Sequence, residues 1–399
     1  MNLDGNIGKR LGILFFFVVA VAFLLSIAFS KAAQWDFRCY YSAATACKLG
    51  LNPYDRVVQA QLAGESVVGF LYPPHTLFLF RPFTWFGLTT ASLIFLALKV
   101  AAIFPLVFLW RRLFGLAEHT GLFLVFVALA FNATLLFDLR AGNLVIFEQL
   151  IIWAGFYGYL KEKPGWFCAA VICAASVKLT PLILLGFLLT SGRRRDLAWL
   201  GISVVGFAVV MALNAVAWPE LNRNFMKALN DAGSEPGVSS WWLIRDAVRW
   251  CQWRMGVDVL RAVEVAVYVT VASLACIISV ITLKRTSASK RADALLWRIS
   301  LACLLYAVIV PRLKEYNYIL LIAPAFFVLK SLPPRSLLML ATALVMFPTA
   351  TNFLVFGKMF EPFYRAISGY SPLLCAWLVW ALCCCLLLRS TGAQEKNPS

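Results

Sequence analysis

Long apolar runs separated by short basic loops recur along the whole chain, and they dictate what it can fold into. A helix of about 20 apolar residues matches the hydrocarbon core of a bilayer. Within that core every backbone N–H and C=O must be satisfied inside its own helix or in a closed barrel. The runs here are too long and too uniformly apolar for the alternating strands of a barrel. With 62% hydrophobic and 14% charged residues over 399 positions, the chain lies outside the range of soluble domains. The expected fold class is an all-α polytopic membrane protein, one integral membrane domain over residues 1–399.

The net charge of +17 is no nucleic-acid signature, because the cations sit in short loops where they set orientation and meet anionic head groups. About twelve crossings fit the pattern, at 11–33, 88–110, 120–138, 143–160, 164–177, 179–191, 196–218, 258–283, 292–310, 317–331, 335–356 and 371–389. Lys9-Arg10 followed by Leu11 to Ala33 has an apolar core too long for a signal peptide and no small-residue cleavage site, so it reads as an uncleaved first span. With both termini cytoplasmic, Arg111-Arg112, Lys161 with Lys163, Arg193-Arg194-Arg195, Lys284-Arg285 with Lys290-Arg291, and Lys330 with Arg335 all fall inside.

That parity has two conditions. The proline-broken stretch from Tyr72 to Phe86, carrying Arg81, must not cross. Residues 164–191 must be two short helices meeting near Lys178; the alternative is one span with a lysine at its centre, which costs about 3 kcal/mol on insertion scales. Two outer loops result, at 34–87 and 219–257. The first opens with an amphipathic juxtamembrane stretch, Phe37 to Leu49. The second carries Trp241, Trp242, Trp250 and Trp253 among Arg245, Arg249 and Arg254, a pattern suited to an interfacial helix.

Eleven cysteines are scattered mostly within spans, and no CxxC pair or Cys/His cluster suggests zinc. Cys39 and Cys47 lie too far apart on one helix to bridge each other; pairing of either with Cys251 stays open.

Charged and polar groups gather on the outer face in this topology. Asp36 follows the first span inside an aromatic belt. Asp55 ends a Gly50-Leu51-Asn52-Pro53-Tyr54-Asp55 turn, where it caps a helix or contacts a ligand. Tyr72-Pro73-Pro74-His75 begins the non-crossing piece, with His75 either a helix-start residue or a ligand contact. Asp138-Leu139-Arg140-Ala141-Gly142-Asn143 joins two spans, and Glu148 follows, within reach of Arg140. Lys178 precedes Pro181 at a helix break, where neither a helix end nor lipid accounts for a lysine. Arg312, Lys314 and Tyr316 lie between two late spans, where the cations either snorkel to head groups or serve a site.

A lone carboxylate facing several cations suits transfer of a group away from a phosphate. The carboxylate takes a proton from an attacking hydroxyl, while lysine and arginine stabilise charge growing on the leaving phosphate. A lipid tail on the donor explains a site at the membrane edge.

The order Asp36-x-x-x-Tyr40, Gly50-x-Asn52-Pro53-Tyr54-Asp55, Tyr72-Pro73-Pro74, Arg140-x-Gly142-Asn143, Lys178-x-x-Pro181 and Pro311-Arg312-Leu313-Lys314-x-Tyr316 resembles the polyprenol-phosphate-sugar-dependent glycosyltransferases of family 87, within the GT-C superfamily. The first half is also similar to the glycosylphosphatidylinositol mannosyltransferase that uses dolichol-phosphate mannose. The resemblance runs from about residue 30 to 320; each motif is weak alone, and their order carries the match.

The resemblance implies a GT-C-like bundle with its site on the non-cytoplasmic face, and the short loops without sorting signals point to a bacterial inner membrane. It implies inverting transfer of a hexose, mannose foremost, from a polyprenyl-phosphate sugar to a lipid-linked or glycan acceptor. Asp36 then stands as general base. Lys178, Arg312, Lys314 and Arg140 are the expected donor-phosphate contacts, and Tyr72, His75, Asn143 and Tyr316 orient substrate. Many GT-C enzymes carry a second acid two residues on; Arg38 stands there instead, which implies no metal and no cofactor. Tyr316 and Asn317 stand where some members have histidine. A lipid or solute transporter is the competing class, with Lys178 at a broken helix as its substrate site. It requires polar groups reached from both faces, whereas these cluster on one, and no internal repeat is visible.

Overall fold

The computed structural model describes residues 3–28, 30, 33–231, 237–256, 260–286, 293–333, 336 and 361–395. The expected span 335–356, apart from Ser336, lies outside these residues, as do Lys290, Arg291 and Arg335. Among the described residues the chain is helical with no strand. It runs α1 (Leu3–Ala28), α2 (Trp35–Lys48), α3 (Arg56–Ala63), α4 (Thr76–Phe80) and a 3-10 turn at Arg81–Trp85. Next come α5 (Leu88–Phe114), α6 (Thr120–Ala141), α7 (Val145–Leu160), α8 (Pro164–Val177) and a 3-10 segment at Thr180–Ser191. Then follow α9 (Arg194–Ala217), α10 (Pro219–Asp231), α11 (Ser240–Met255), α12 (Arg261–Thr286) and α13 (Ala294–Ile309). A 3-10 turn at Glu315–Leu321 leads into α14 (Ile322–Leu329), and α15 (Glu361–Glu395) closes the described chain.

Six helical stretches are long and apolar enough to cross a membrane: Arg10–Ile27, Leu88–Phe114, Thr120–Ala141, Arg194–Ala217, Arg261–Arg285 and Gly369–Arg389. By that measure this is an integral membrane protein. Shorter apolar helices occupy Val145–Leu160, Pro164–Val177, Thr180–Ser191, Ala294–Ile309 and Glu315–Leu329. The stretch from Tyr72 to Phe86 holds only α4 and the 3-10 turn after it. At Lys178 the backbone is extended (φ −140°, ψ 121°), and α8 ends there before the 3-10 segment that carries Pro181 in its first turn. All eleven cysteines are free thiols.

One feature departs from the reading of 120–138 as an unbroken span. Phe131, Asn132 and Ala133 take left-handed φ values of 52°, 62° and 53° inside α6. Each non-glycine residue in that region costs about 1–2 kcal/mol, and no glycine or proline marks the break. Tertiary contacts hold it: Phe131 stacks on Tyr318 with centroids 6.0 Å apart, and the Thr134 hydroxyl donates to the Glu315 carbonyl.

The chain forms two compact units. One comprises residues 17–110 and 135–235. In it α2 buries Phe37, Tyr40, Ala43 and Ala44 against Leu77 and Phe80 of α4 and Phe95 of α5. Phe37 and Phe95 stack at 4.6 Å, a contact worth about 0.5–1.5 kcal/mol beyond its buried area. Amphipathic α10 drives Phe225 into the same cluster, 5.9 Å from Tyr54. The α7–α8 hairpin closes on small residues: a Cβ on Gly155 would meet Ala170 Cβ at 2.6 Å, the close approach that packs helices in lipid.

The other unit comprises residues 1–16, 111–134 and 236–399. Buried Phe326 of α14 packs on Phe123 and Phe126 of α6, at 5.2 and 5.4 Å. Trp380 of α15 donates its indole N–H to Ser279 of α12 over 3.0 Å. Trp250 and Trp253 on α11 stay exposed beside Arg249 and Arg254.

Candidate active site

The site builds outward from the first turn of α2. Gln34 takes a left-handed φ of 62° and starts the helix, which places Asp36 in its first turn, where the helix dipole favours a negative charge. Asp36 is buried, 8% exposed. Tyr40 lies four residues on and therefore on the same helix face. The Asn143 amide reaches both, its Nδ2 donating to Asp36 Oδ2 over 2.7 Å and to the Tyr40 hydroxyl over 3.0 Å. The Tyr40 and Tyr72 hydroxyls share a hydrogen bond of 2.8 Å, and the Tyr54 hydroxyl donates to the Tyr72 carbonyl over 2.9 Å. Burial first, and then the Asp36 carboxylate, hold the Tyr72 phenol well above its ordinary pKa, so it stays a neutral donor and acceptor.

Asn143 stands in a three-residue link between α6 and α7 whose form rests on Gly142. Its φ is 71°, and a Cβ there would lie 2.7 Å from Gln34 Oε1 and 3.0 Å from Phe37 Cβ. Only glycine lets this turn close on α2. The amide orientation follows from charge: Nδ2 must face the carboxylate, and Oδ1 is left buried with no donor among the described residues.

Behind this cluster lies a pair the sequence reading did not single out. Lys99 of α5 and Asp138 of α6 are both fully buried, with Nζ and Oδ2 2.8 Å apart. The ammonium also donates to the Asp138 backbone carbonyl. Removing either partner alone would strand a charge, at about 3–5 kcal/mol. The legible signal was that Lys99 is the sole ionisable residue between 88 and 110. Asp36 lies within Coulombic reach of both members. Lys178 acts on Asp138 and on buried Glu148, and the Glu148 carboxylate also accepts from Gln149 over 3.3 Å. The expected lone acid is thus one of three carboxylates, Asp36, Asp138 and Glu148, interleaved with two lysines in this unit.

The remaining candidates divide plainly. Arg140 contributes its carbonyl, which accepts from the Gln34 N–H over 2.7 Å; its side chain is exposed. Arg38 pairs with Glu65, and Asp55 caps α3 through the Val57 N–H at 2.8 Å. His75 Nδ1 lies 2.8 Å from Asn214 Oδ1, which also accepts the His75 backbone N–H over 3.2 Å. Asn214 Nδ2 donates to the Val210 carbonyl, so Oδ1 must face the ring. His75 Nδ1 therefore carries a proton, and Nε2 is buried.

Arg312, Lys314 and Tyr316 belong to the other unit. Their loop is pinned there by the Val238 N–H on the Leu313 carbonyl (2.7 Å), the Ser239 hydroxyl on the Pro311 carbonyl (2.6 Å), and the Lys314 N–H on Asn317 Oδ1 (2.9 Å). Among the described residues no group of three His, Cys, Asp or Glu side chains is placed to hold a metal ion.

A search of curated proteins gave no match. The family model for glycosyltransferase family 87 matches residues 70–311, more than half the chain. That stretch takes in Tyr72 and Asn143, gathered at Asp36, and Lys178, which acts on Asp138. On this match the chain belongs to glycosyltransferase family 87.

Proposed function

We propose that this glycosyltransferase moves a hexose, mannose foremost, from a polyprenyl-phosphate sugar to a lipid-linked or glycan acceptor, with inversion, on the non-cytoplasmic face of a bacterial plasma membrane. The fold is a GT-C-type bundle of about twelve spans with both termini inside, an orientation favoured by the basic loops that alternate with the apolar helices.

The observation that carries the reading is the buried Asn143–Asp36–Tyr40–Tyr72 cluster at the start of a juxtamembrane helix. Asp36 accepts the proton of the acceptor hydroxyl. The hydroxyl oxygen bonds to the sugar C1 on the face opposite the phosphate, and the C1–O bond to phosphate breaks. The departing electron pair stays on polyprenyl phosphate, whose charge Lys178 and Arg140 stabilise. Tyr72, His75 and Asn143 orient the sugar. A bare acceptor such as Asn143 Oδ1 suits a ligand rich in hydroxyl donors.

The test offers purified protein two radiolabelled donors, polyprenyl-phosphate mannose and a nucleotide-diphosphate mannose, with octyl mannoside as acceptor. The label is expected to move from the lipid donor alone, and Lys178→Ala is expected to weaken its capture. Transfer from the nucleotide sugar would contradict the donor class.

A further inference from the structure

The buried pair Lys99–Asp138 lies beside the site without any part in the transfer step. A lysine and an aspartate with no exposed side-chain surface are expensive within a bilayer and persist where they serve a purpose. Their placement shows one. The last carbonyls of α6 have to find partners before the turn to α7. The Asp138 carbonyl accepts from Lys99 Nζ and from the Gly142 N–H at 3.0 Å. The Leu139 carbonyl accepts from the Gln34 side chain, and the Arg140 carbonyl from the Gln34 N–H at 2.7 Å. The end of α6 is therefore stitched on one side to α5 and on the other to the residue that opens α2. Asn143 leaves this anchored end one residue after Gly142.

We propose that Lys99 and Asp138 are positioning residues for Asp36: their ion pair fixes the end of α6 so that the Gly142–Asn143 turn delivers its amide to the Asp36 carboxylate. The proposal rests on the reading of Asp36 as the general base. A second consequence follows from charge. Titratable groups facing Asp36 among the described residues include Lys99 from α5, Asp138 from α6, Tyr72 from the loop before α4 and Tyr40 on α2 itself. Glu148 and Lys178 act one step further out, on Asp138. The pair adds no net charge, yet each member alone would shift the protonation of Asp36 in opposite senses.

The experiment measures transfer from radiolabelled polyprenyl-phosphate mannose to octyl mannoside across pH for K99Q, D138N, the K99Q/D138N double variant and D36N. Each single variant should lose turnover by about 100-fold, the effect of a small misplacement at a reacting centre, with donor KM little changed. The acid limb of the rate profile should move to higher pH in K99Q and to lower pH in D138N. In the double variant it should return towards that of the wild type, with turnover above either single. A pair that only glues helices would lower amplitude and leave the limb in place, and an unmoved limb in both singles overturns the proposal. Should the neutral singles fail to accumulate, K99R and D138E keep the charge but shift the geometry. Both should lose turnover with an unmoved limb, and full turnover in both overturns the proposal. Wild-type transfer by D36N would instead sink the base assignment itself; an inactive D36N beside Lys99 and Asp138 variants with wild-type rates and limbs would sink only the positioning role.

Discussion

Gly142→Ala is the sharpest perturbation of the turn that carries Asn143. At φ 71° an alanine bears a left-handed penalty of about 1–2 kcal/mol. Its Cβ would also sit 2.7 Å from Gln34 Oε1, 3.0 Å from Phe37 Cβ and 3.1 Å from Gln34 Cα. Gln34 cannot swing aside freely, because its Nε2 donates to the Leu139 carbonyl. The first turn of α2 must therefore retreat by several tenths of an ångström, an overpacking effect of about 1–3 kcal/mol. The expected loss of stability is about 2–5 kcal/mol in total. Gly50 provides the internal control: its φ is also 71°, but nothing lies within 4 Å of a Cβ there, so Gly50→Ala should cost about 1 kcal/mol. Thermal unfolding in detergent, followed by tryptophan fluorescence, compares the two variants, and transfer rates are measured alongside. Gly142→Ala should melt well below Gly50→Ala and lose transfer by about 100-fold. Equal melting and equal rates would refute the argument that this turn must close on α2.

Three further outcomes are expected. Asn143→Ala removes a charge-assisted hydrogen bond worth about 1.5–3 kcal/mol and should slow transfer far more than it weakens donor binding; a rate within twofold of wild type, about 0.4 kcal/mol, would discount the amide. Nitrogen-15 spectra of labelled protein, assigned by loss of the signal in His75→Gln, should show His75 protonated on Nδ1 at neutral pH, and the Nε2 tautomer would contradict the Asn214 contact. The Tyr72 phenol, raised by burial and then by Asp36, ionises only above the pH at which an unfolded tyrosine does. Its contribution to stability is thus complete below about pH 10 and lost as pH rises further. Alkaline difference spectra against Tyr72→Phe should show no phenolate from this residue near pH 10; early ionisation would place it in water.

Apolarity and loop charge are properties of a linear pattern, so the helical class, the apolar stretches and the break at Lys178 before Pro181 were legible in the sequence. Asp36-x-x-x-Tyr40 was legible as spacing because four residues return to one helix face, and Arg140-x-Gly142-Asn143 was legible as a turn. What Gly142 must avoid was not, since Gln34 and Phe37 reach it only through folding. Lys99 and Asp138 pair across two helices, and no local pattern sets the register between them. His75 and Asn214 are 139 residues apart. The left-handed stretch at 131–133 carries no glycine or proline, because contacts with residues 315 and 318 hold it rather than local preference.

The most direct test of the account compares wild type and Asp36→Asn in single-turnover transfer from polyprenyl-phosphate mannose, with donor binding measured on the same preparations. Asparagine keeps the shape of the side chain but cannot take up the acceptor's proton. The account predicts that the variant binds the donor lipid as tightly as wild type and transfers essentially none of its sugar. A variant that turns over at the wild-type rate would contradict it.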